Sequence, residues 1–503
     1  MARAIPFISL LLLSIAGWQP SAGRQVELSI LHTTDVHGHI WPTTDYEGQG
    51  DVGGFLRCAA RIEELRAAHP NTLLIDCGDT FQGAPESWLN EGRLLIDGLN
   101  HLRYDAWVLG NHEIDWGVEV LRRRHDQAEM PFLAANLYFR DPAANWLPKI
   151  RPFIIKEVDG IRVALIGLTT PGIPRWSRPY LLDGALFRQS VESLTELMPL
   201  VKEAKPDVIV LAVHQGFKNR GDDFANQIQA LARQFPEVDV MLGGHSHVPV
   251  EDMRFGPVLY SQAGYHGIWV GQVTLTYDTI QRAVVSKQGR LDRMDASVPY
   301  HEGLLTRWKE ELDRAGESLS RPAGVLAEVL DPKPDARGQS SMQQFICRAI
   351  AAGVDVEFVL HGSLAEERLE PGPLRERDLW KIVPYENDIG VVMWTPQQIA
   401  AALEENFTRP VTHQSLGAYG FTFRAVGEGR HIRVVDLRDM QGQSLHARKR
   451  YRVALNSYVL ASGGERYNRI REMAEEPESR LDMTGKDTRS LVRQYLAGPP
   501  AAK

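Results

Sequence analysis

Five apolar runs in this chain each break off into residues able to hold a metal ion, and any fold it adopts must account for that recurrence. Val26 to Thr34 leads into Asp35-Val36-His37, Thr72 to Ile75 into Asp76-Cys77-Gly78-Asp79, and Ala106 to Leu109 into Gly110-Asn111-His112-Glu113. Asp207 to Val213 leads into His214, and Val238 to Leu242 into Gly243-Gly244-His245-Ser246-His247. Short β-branched runs bounded by glycine signal strands, and helix-like stretches such as Arg57 to Ala68 and Ser190 to Lys205 separate them, so an α/β sheet is expected. Such sheets bind ligands beyond the carboxyl ends of their strands, which predicts that the five clusters converge on one rim. Taken singly, each has a plainer reading. A lone histidine is more often hydrogen-bonded than metal-bound, Asp35 or Asp79 can cap a helix, and the glycines can serve tight turns. Five in succession argue for a site.

The residue types set the chemistry. Asp35 and His37 stand two apart, so on an extended strand end both can face one side. Asp79 carries two carboxylate oxygens and can bridge a pair of cations; Asn111 offers a neutral carbonyl oxygen; His214, His245 and His247 offer imidazole nitrogens. A mixed nitrogen and oxygen set without thiolate suits Mn, Zn, Co or Fe better than a structural zinc cage. Two such cations form a clamp for hydrolysis of a phosphate ester. Asp115 follows His112 by three residues, so on a helical turn it can fix the tautomer of His112. The other ring nitrogen is then left to protonate a leaving oxygen or to stabilise the transition state.

The 503 residues suffice for two or more domains, and a net charge of −8 gives no argument for a nucleic-acid polymer as partner. Arg3, the apolar stretch Ile5 to Ala16 and the small residues Pro20 to Gly23 read as a secretory signal over residues 1–23, with an uncleaved membrane anchor as the alternative. The expected mature protein is secreted, in the periplasm, without stable membrane insertion. Cys58, Cys77 and Cys347 are odd in number and fit no metal spacing, so no disulfide is assigned. Residues 24–297 hold all five strand-to-ligand units. An amphipathic helix is expected within 298–322, linking to a second domain over 323–483; a surface helix of the first domain is the alternative. Residues 484–503 read as a frayed tail. Oligomeric state is not legible.

The order and flanks of Leu31 to Gly38, Gly78-Asp79, Gly110 to Glu113, His214-Gln215-Gly216 and Gly243 to His247 resemble the calcineurin-like metallophosphoesterase signature. More narrowly, the chain is similar over residues 26–483 to the secreted 5′-nucleotidase family, which includes UDP-sugar hydrolases and 2′,3′-cyclic-nucleotide phosphodiesterases. The resemblance implies an α/β protein: a four-layer αββα sandwich followed by a smaller α/β domain that recognises substrate and moves. It implies one cation on Asp35, His37, Asp79 and His247, a second on Asp79, Asn111, His214 and His245, and His112 with Asp115 as the catalytic pair. The implied substrate is a small phosphate ester, with nucleotides leading.

The second domain departs from the family pattern. Glu366, in His361 to Glu366, stands where relatives carry a substrate-binding arginine, and a carboxylate there repels an anion. Arg368 is a candidate replacement. Tyr419 can serve as the first of two rings that clamp a base, or equally be a partly buried strand aromatic. Val459 stands in the second ring's place, forfeiting ~1–3 kcal/mol of stacking, while Tyr458 is expected on the opposite face of a strand. Glu465 replaces the family aspartate, and Asn387 sits in a matching Pro384-Tyr385-Glu386-Asn387 segment. Because thiosulfohydrolases resemble the same two-domain family, a sulfur-compound hydrolase is the rival enzyme, and a non-catalytic binding protein on the same fold the third reading.

Overall fold

Alternate residues of a strand face opposite ways, and here the two faces enter two different cores. In Gln25–Thr33, Val26, Leu28 and Ile30 point into one apolar cluster and Leu31 into another. In Val208–Val213, Val208, Val210 and Ala212 join the first of these clusters, while Ile209, Leu211 and Val213 enter a third. The shared cluster is the filling between two stacked sheets. The computed structural model describes residues 23–498 except 142, 144, 178, 336–337, 366, 409–414 and 428–430; the expected signal segment through residue 22, Glu366 and the last residues of the expected tail lie outside it.

One six-stranded sheet runs in the order Ala283–Arg293, Trp269–Asp278, Gln25–Thr33, Thr72–Asp76, Ala106–Val108, Phe132–Leu133. The other runs Pro249–Phe255, Val258–Ala263, Val240–Gly243, Val208–Val213, Ile161–Leu168, Phe153–Val158. Helices Phe55–Ala68, Arg93–His101 and Glu302–Leu319 cover the outer face of the first, through Phe55, Leu95 and Trp308. Ser190–Glu203 and Ile228–Gln234 cover the second, through Leu194 and Leu231. The result is four layers, helix, sheet, sheet, helix. The ligand-bearing strands thus divide three and two between stacked sheets, where periodicity alone suggested a single sheet. Period-two burial says which residues share a face but carries no information on which sheet a strand joins.

A second, five-stranded sheet domain follows, in the order Gly417–Tyr419, Phe358–His361, Tyr451–Asn456, Asp388–Trp394, Asp482–Asp487. Helices Ser341–Gly353 and Pro396–Asn406 pack on its opposite faces, each opened by a capping box, Ser340 with Gln343 and Thr395 with Gln398. Glu302–Leu319 belongs to both bodies: Leu304, Trp308 and Leu312 lie in the first domain's core and Leu319 in the second's. His301 caps it, its Nδ1 accepting the Leu304 N–H at 3.0 Å.

The expected tail is a correction. Residues Asp482–Asp487 form an edge strand, and Thr488–Leu496 a helix whose Leu491 and Val492 are buried in the second core. Asp487 caps that helix by accepting the Ser490 N–H at 2.9 Å. The terminal Gly-Pro-Pro suggested fraying, but the amphipathic turns before it bury enough surface to dock. Cys58, Cys77 and Cys347 are buried free thiols, and burial pushes Cys58 up to about 12. Among the described residues no helix is long and apolar enough to cross a membrane.

Candidate metal centre

The strand ends turn sharply to face one another, and the backbone records the effort. Asp35, His37, Asp79, His245 and His247 all hold left-handed φ values, of 50, 49, 52, 69 and 56°. Such conformations are costly outside glycine and collect at functional sites. Glycine supplies the closest approach: a Cβ on Gly110 would lie 2.2 Å from Asp79 Oδ1 and 2.3 Å from the Asp79 nitrogen. Buried Glu113 staples these two loops, accepting the N–H groups of Asp79 (2.9 Å), Thr80 (2.7 Å) and Gly110 (2.7 Å). Burial, with the charge of Asp79, pushes its carboxyl up to about 8. The sequence shows Glu113 in the cluster but not this clamping role.

All seven expected ligand side chains meet at the shared rim of the two sheets. Asp35, His37 and His247 form one group, and Asp79, His214 and His245 another, with the ligand atoms of each within 4.8 Å of one another. His247 Nε2 lies 3.4 Å from Asp35 Oδ1 and 3.0 Å from His37 Nε2. Asp79 Oδ2 stands between the groups, 3.7 Å from His37 Nε2 and 3.0 Å from His214 Nε2, and Asn111 Oδ1 lies 3.1 Å from His214 Nε2.

The hydrogen bonds behind these rings test whether cations fit. His37 Nδ1 donates to the Gln82 carbonyl at 2.9 Å and His214 Nδ1 to the Cys77 carbonyl at 2.8 Å. A carbonyl only accepts, so in the neutral ring each Nε2 turns a lone pair toward the centre. His214 Nε2 there faces the Asp79 carboxylate and the Asn111 carbonyl, three acceptors that repel unless a positive charge lies among them. A divalent cation satisfies that arrangement. Burial lowers His37 to about 4 and His245 to about 3, keeping both neutral as ligation requires. Burial opposes charge on His214, but Asp79 outweighs it and lifts the ring to about 9, so a cation there would take the place of the proton on Nε2. The neighbouring His214 holds the Asp79 carboxyl well below the usual range despite its burial.

His112 starts a single 3-10 turn, His112–Ile114, and its Nδ1 lies 2.6 Å from Asp115 Oδ2. Its main-chain N–H donates to Asp79 Oδ1 at 2.8 Å. Burial alone would lower this histidine, but Asp115 and Asp79 outweigh that and raise it to about 10. Asp115 therefore fixes the ring and leaves Nε2 carrying a proton.

A cleft of ≈ 990 Å³, open solvent included, runs between the domains beside this centre. Asn111, His112, Asp115, Trp176 and His245 line one wall, and Leu364, Tyr385, Asn387, Ser457 and Tyr458 the other. Of the expected substrate residues, Asn387 lines it. Tyr419 does not: it packs against the second domain's core. Glu465 lies outside the cleft wall, 3.9 Å from Arg175. Arg368 pairs with Glu370 at 2.9 Å instead of facing the cleft. Tyr458 is a further correction. Ser457–Leu460 is a helical turn, capped by Asn456 accepting the Val459 N–H at 2.9 Å, so Tyr458 faces the cleft while Val459 is buried. Trp176, Tyr385 and Tyr458 were not assigned from sequence; the Asn456-Ser457 cap was the available signal for the last.

The domains also touch through Gln82, whose side-chain amide donates to Glu386 Oε2 at 2.6 Å; Glu386 Oε1 accepts from Arg489 at 2.6 Å.

Comparison with known proteins follows this division. A calcineurin-like phosphoesterase family model matches residues 28–249, and a 5′-nucleotidase C-terminal domain model matches residues 322–472. A 5′-nucleotidase of Vibrio cholerae is 27% identical over 500 residues, spanning 90% of this chain and 88% of that protein. The crystal structure of a 5′-nucleotidase precursor from Thermus thermophilus superposes with a TM-score of 0.72 at 23% identity, covering 94% of this chain and 96% of the other. The sulfate thiohydrolase SoxB of Thermus thermophilus superposes at 0.66 with 18% identity, covering 95% and 94%. These two structural likenesses bear on the fold.

Proposed function

The chain belongs to the family that joins a calcineurin-like phosphoesterase domain to a 5′-nucleotidase C-terminal domain and is a phosphoester hydrolase, and from that premise we propose a secreted enzyme that uses two cations, with nucleotides as its leading substrates. The observation that carries the two-cation reading is Asp79, whose carboxylate stands between the Asp35–His37–His247 group and the His214–His245 pair. Asp35, His37, Asp79 and His247 would hold one cation, and Asp79, Asn111, His214 and His245 the other. Such cations supply a neutral-pH water nucleophile and polarise the phosphoryl oxygen.

The protein's own groups do the rest. Water oxygen bonds to phosphorus as the P–O bond to the leaving group breaks, and the leaving oxygen takes the proton from His112 Nε2; the proton shed by the attacking water passes to solvent, from which His112 is reprotonated. Asp115, at 2.6 Å from Nδ1, keeps that nitrogen aimed and stabilises the imidazolium before transfer. Trp176, Tyr385 and Tyr458 give the cleft flat apolar walls, with Asn387 and Ser457 as polar contacts. Walls of that kind suit a planar leaving group such as a nucleoside, and known relatives named 5′-nucleotidases support that class. Export is supported by the leader pattern of Arg3, Ile5 to Ala16 and Pro20 to Gly23.

The test is metal analysis of the purified protein with a screen of phosphate and sulfate release over mononucleotides, cyclic nucleotides, UDP-sugars, simple esters and thiosulfate-type compounds, in Mn, Zn or Co. Phosphate release from nucleotides is expected. Sulfate release alone would hand the chain to the rival enzyme class, and absence of bound metal to a non-catalytic binder.

A further inference from the structure

We propose that Tyr46 is a positioning residue for the cation group of Asp35, His37 and His247, acting through Nδ1 of His247; the inference rests on the two-cation reading. The Tyr46 hydroxyl oxygen lies 2.6 Å from His247 Nδ1. The opposite nitrogen, Nε2, is the one that faces Asp35 and His37. An imidazole that gives Nε2 to a cation needs a partner at Nδ1 to hold its plane and take the N–H. Main-chain carbonyls do this for His37 and His214. For His247 a phenol stands in that place.

The contact is built from several directions. The Tyr46 ring stacks on Tyr265, centroids 4.1 Å apart with 12° between planes, and Tyr265 stacks on His247 at 5.5 Å and 18°. The Tyr46 N–H donates to the Tyr265 hydroxyl at 3.0 Å. Asp45 accepts the N–H groups of Glu47 (3.0 Å) and Gln49 (2.8 Å) and pairs with Arg293 at 2.6 Å. Arg293 in turn lies over the Trp269 ring, 5.1 Å from its centroid. Thr43 and Val52 bridge across the base of this loop. Tyr46 is therefore 49% exposed on a pinned hairpin, with its hydroxyl turned onto the histidine.

A hydroxyl can donate or accept, whereas a carbonyl can only accept. His247 is thus held in plane without its tautomer being dictated, in contrast to His37 and His214. Removing the hydroxyl while keeping the ring isolates this contact from the stacking beneath it.

The experiment is Tyr46→Phe in the full chain, titrated with Co²⁺, with the visible absorption of the bound ion and chelator competition giving each affinity. One of two Co²⁺ equivalents is expected to bind about 10–100-fold more weakly while the other keeps its wild-type affinity. Thermal unfolding of the cation-free protein should not change. Tyr138→Phe, which removes a hydroxyl from strand Leu137–Phe139 where no ligand residue stands, is expected to keep both affinities. Wild-type binding of both equivalents by Tyr46→Phe overturns the role of Tyr46 alone, as does an equal loss in Tyr138→Phe. A wild-type chain that takes up no Co²⁺ overturns the two-cation reading and this inference with it.

Discussion

Replacing Gly110 by alanine is a small change with a calculable effect. The new Cβ would lie 2.2 Å from Asp79 Oδ1, 2.3 Å from the Asp79 nitrogen and 2.5 Å from Glu113 Oε2, where real Cβ contacts do not fall under 3.0 Å. Asp79 must therefore retreat by about 0.8 Å, and overpacking of this kind costs about 1–3 kcal/mol. The N–H of Asp79 moves with it, loosening a hydrogen bond to the buried Glu113 carboxylate. Asp79 is the carboxylate between the two ligand groups, so both geometries shift together. Misplacement near 1 Å at a reacting centre costs about 10²-fold in rate. Gly110→Ala should lower kcat by roughly that factor and lower the melting temperature, measured by phosphate release and by scanning calorimetry. Gly316→Ala is the control: it sits in helix Glu302–Leu319 with no heavy atom within 4 Å of the added Cβ. It should gain about 0.5–1 kcal/mol of stability at unchanged kcat. Wild-type turnover in Gly110→Ala would refute the claim that this close approach sets the site.

Three further perturbations, two by substitution and one by truncation, probe separate parts. His112→Ala should cut kcat by about 10²–10⁴-fold with metal content unchanged; loss of metal would make His112 a ligand instead of a proton donor. Tyr458→Ala should weaken nucleotide binding by ~1–3 kcal/mol in inhibitor titrations, whereas Tyr419→Ala should not; the reverse order would return the stacking role to Tyr419. Deleting residues from 484 onward removes Leu491 and Val492 from the second core, and the cost of losing buried side chains is about 2–5 kcal/mol each, so the truncated chain should melt early or fail to fold. An unchanged melting curve would show that this helix contributes nothing.

The sequence carried the ligand chemistry because each cluster is local: a strand run and the polar residues just past it are contiguous, so Asp35, Asp79, His214 and their companions could be read where they stand. It did not carry the pairing of strands. Val26 to Thr34 and Val238 to Leu242 look alike, yet they enter different sheets, since long-range pairing leaves no mark on the period of either run. Strand alternation turns Tyr458 away from the base, but Asn456 is a capping residue and Ser457–Leu460 a helical turn, so that alternation does not reach Tyr458. Tyr46 lies among Asp, Glu and Gly residues that read as loop, and nothing near it indicates that its hydroxyl reaches a histidine 201 positions away.

The five ligand residues held in the left-handed region, each strained by roughly 1 kcal/mol, amount to a sizeable fraction of what holds a typical domain together. The doubled sheet and its two helical coats must therefore be overbuilt relative to a chain of the same size with no such rim. His245→Gly would relieve one of these backbones at the expense of a ligand, so selection for heat resistance alone would tend to erode this protein's activity.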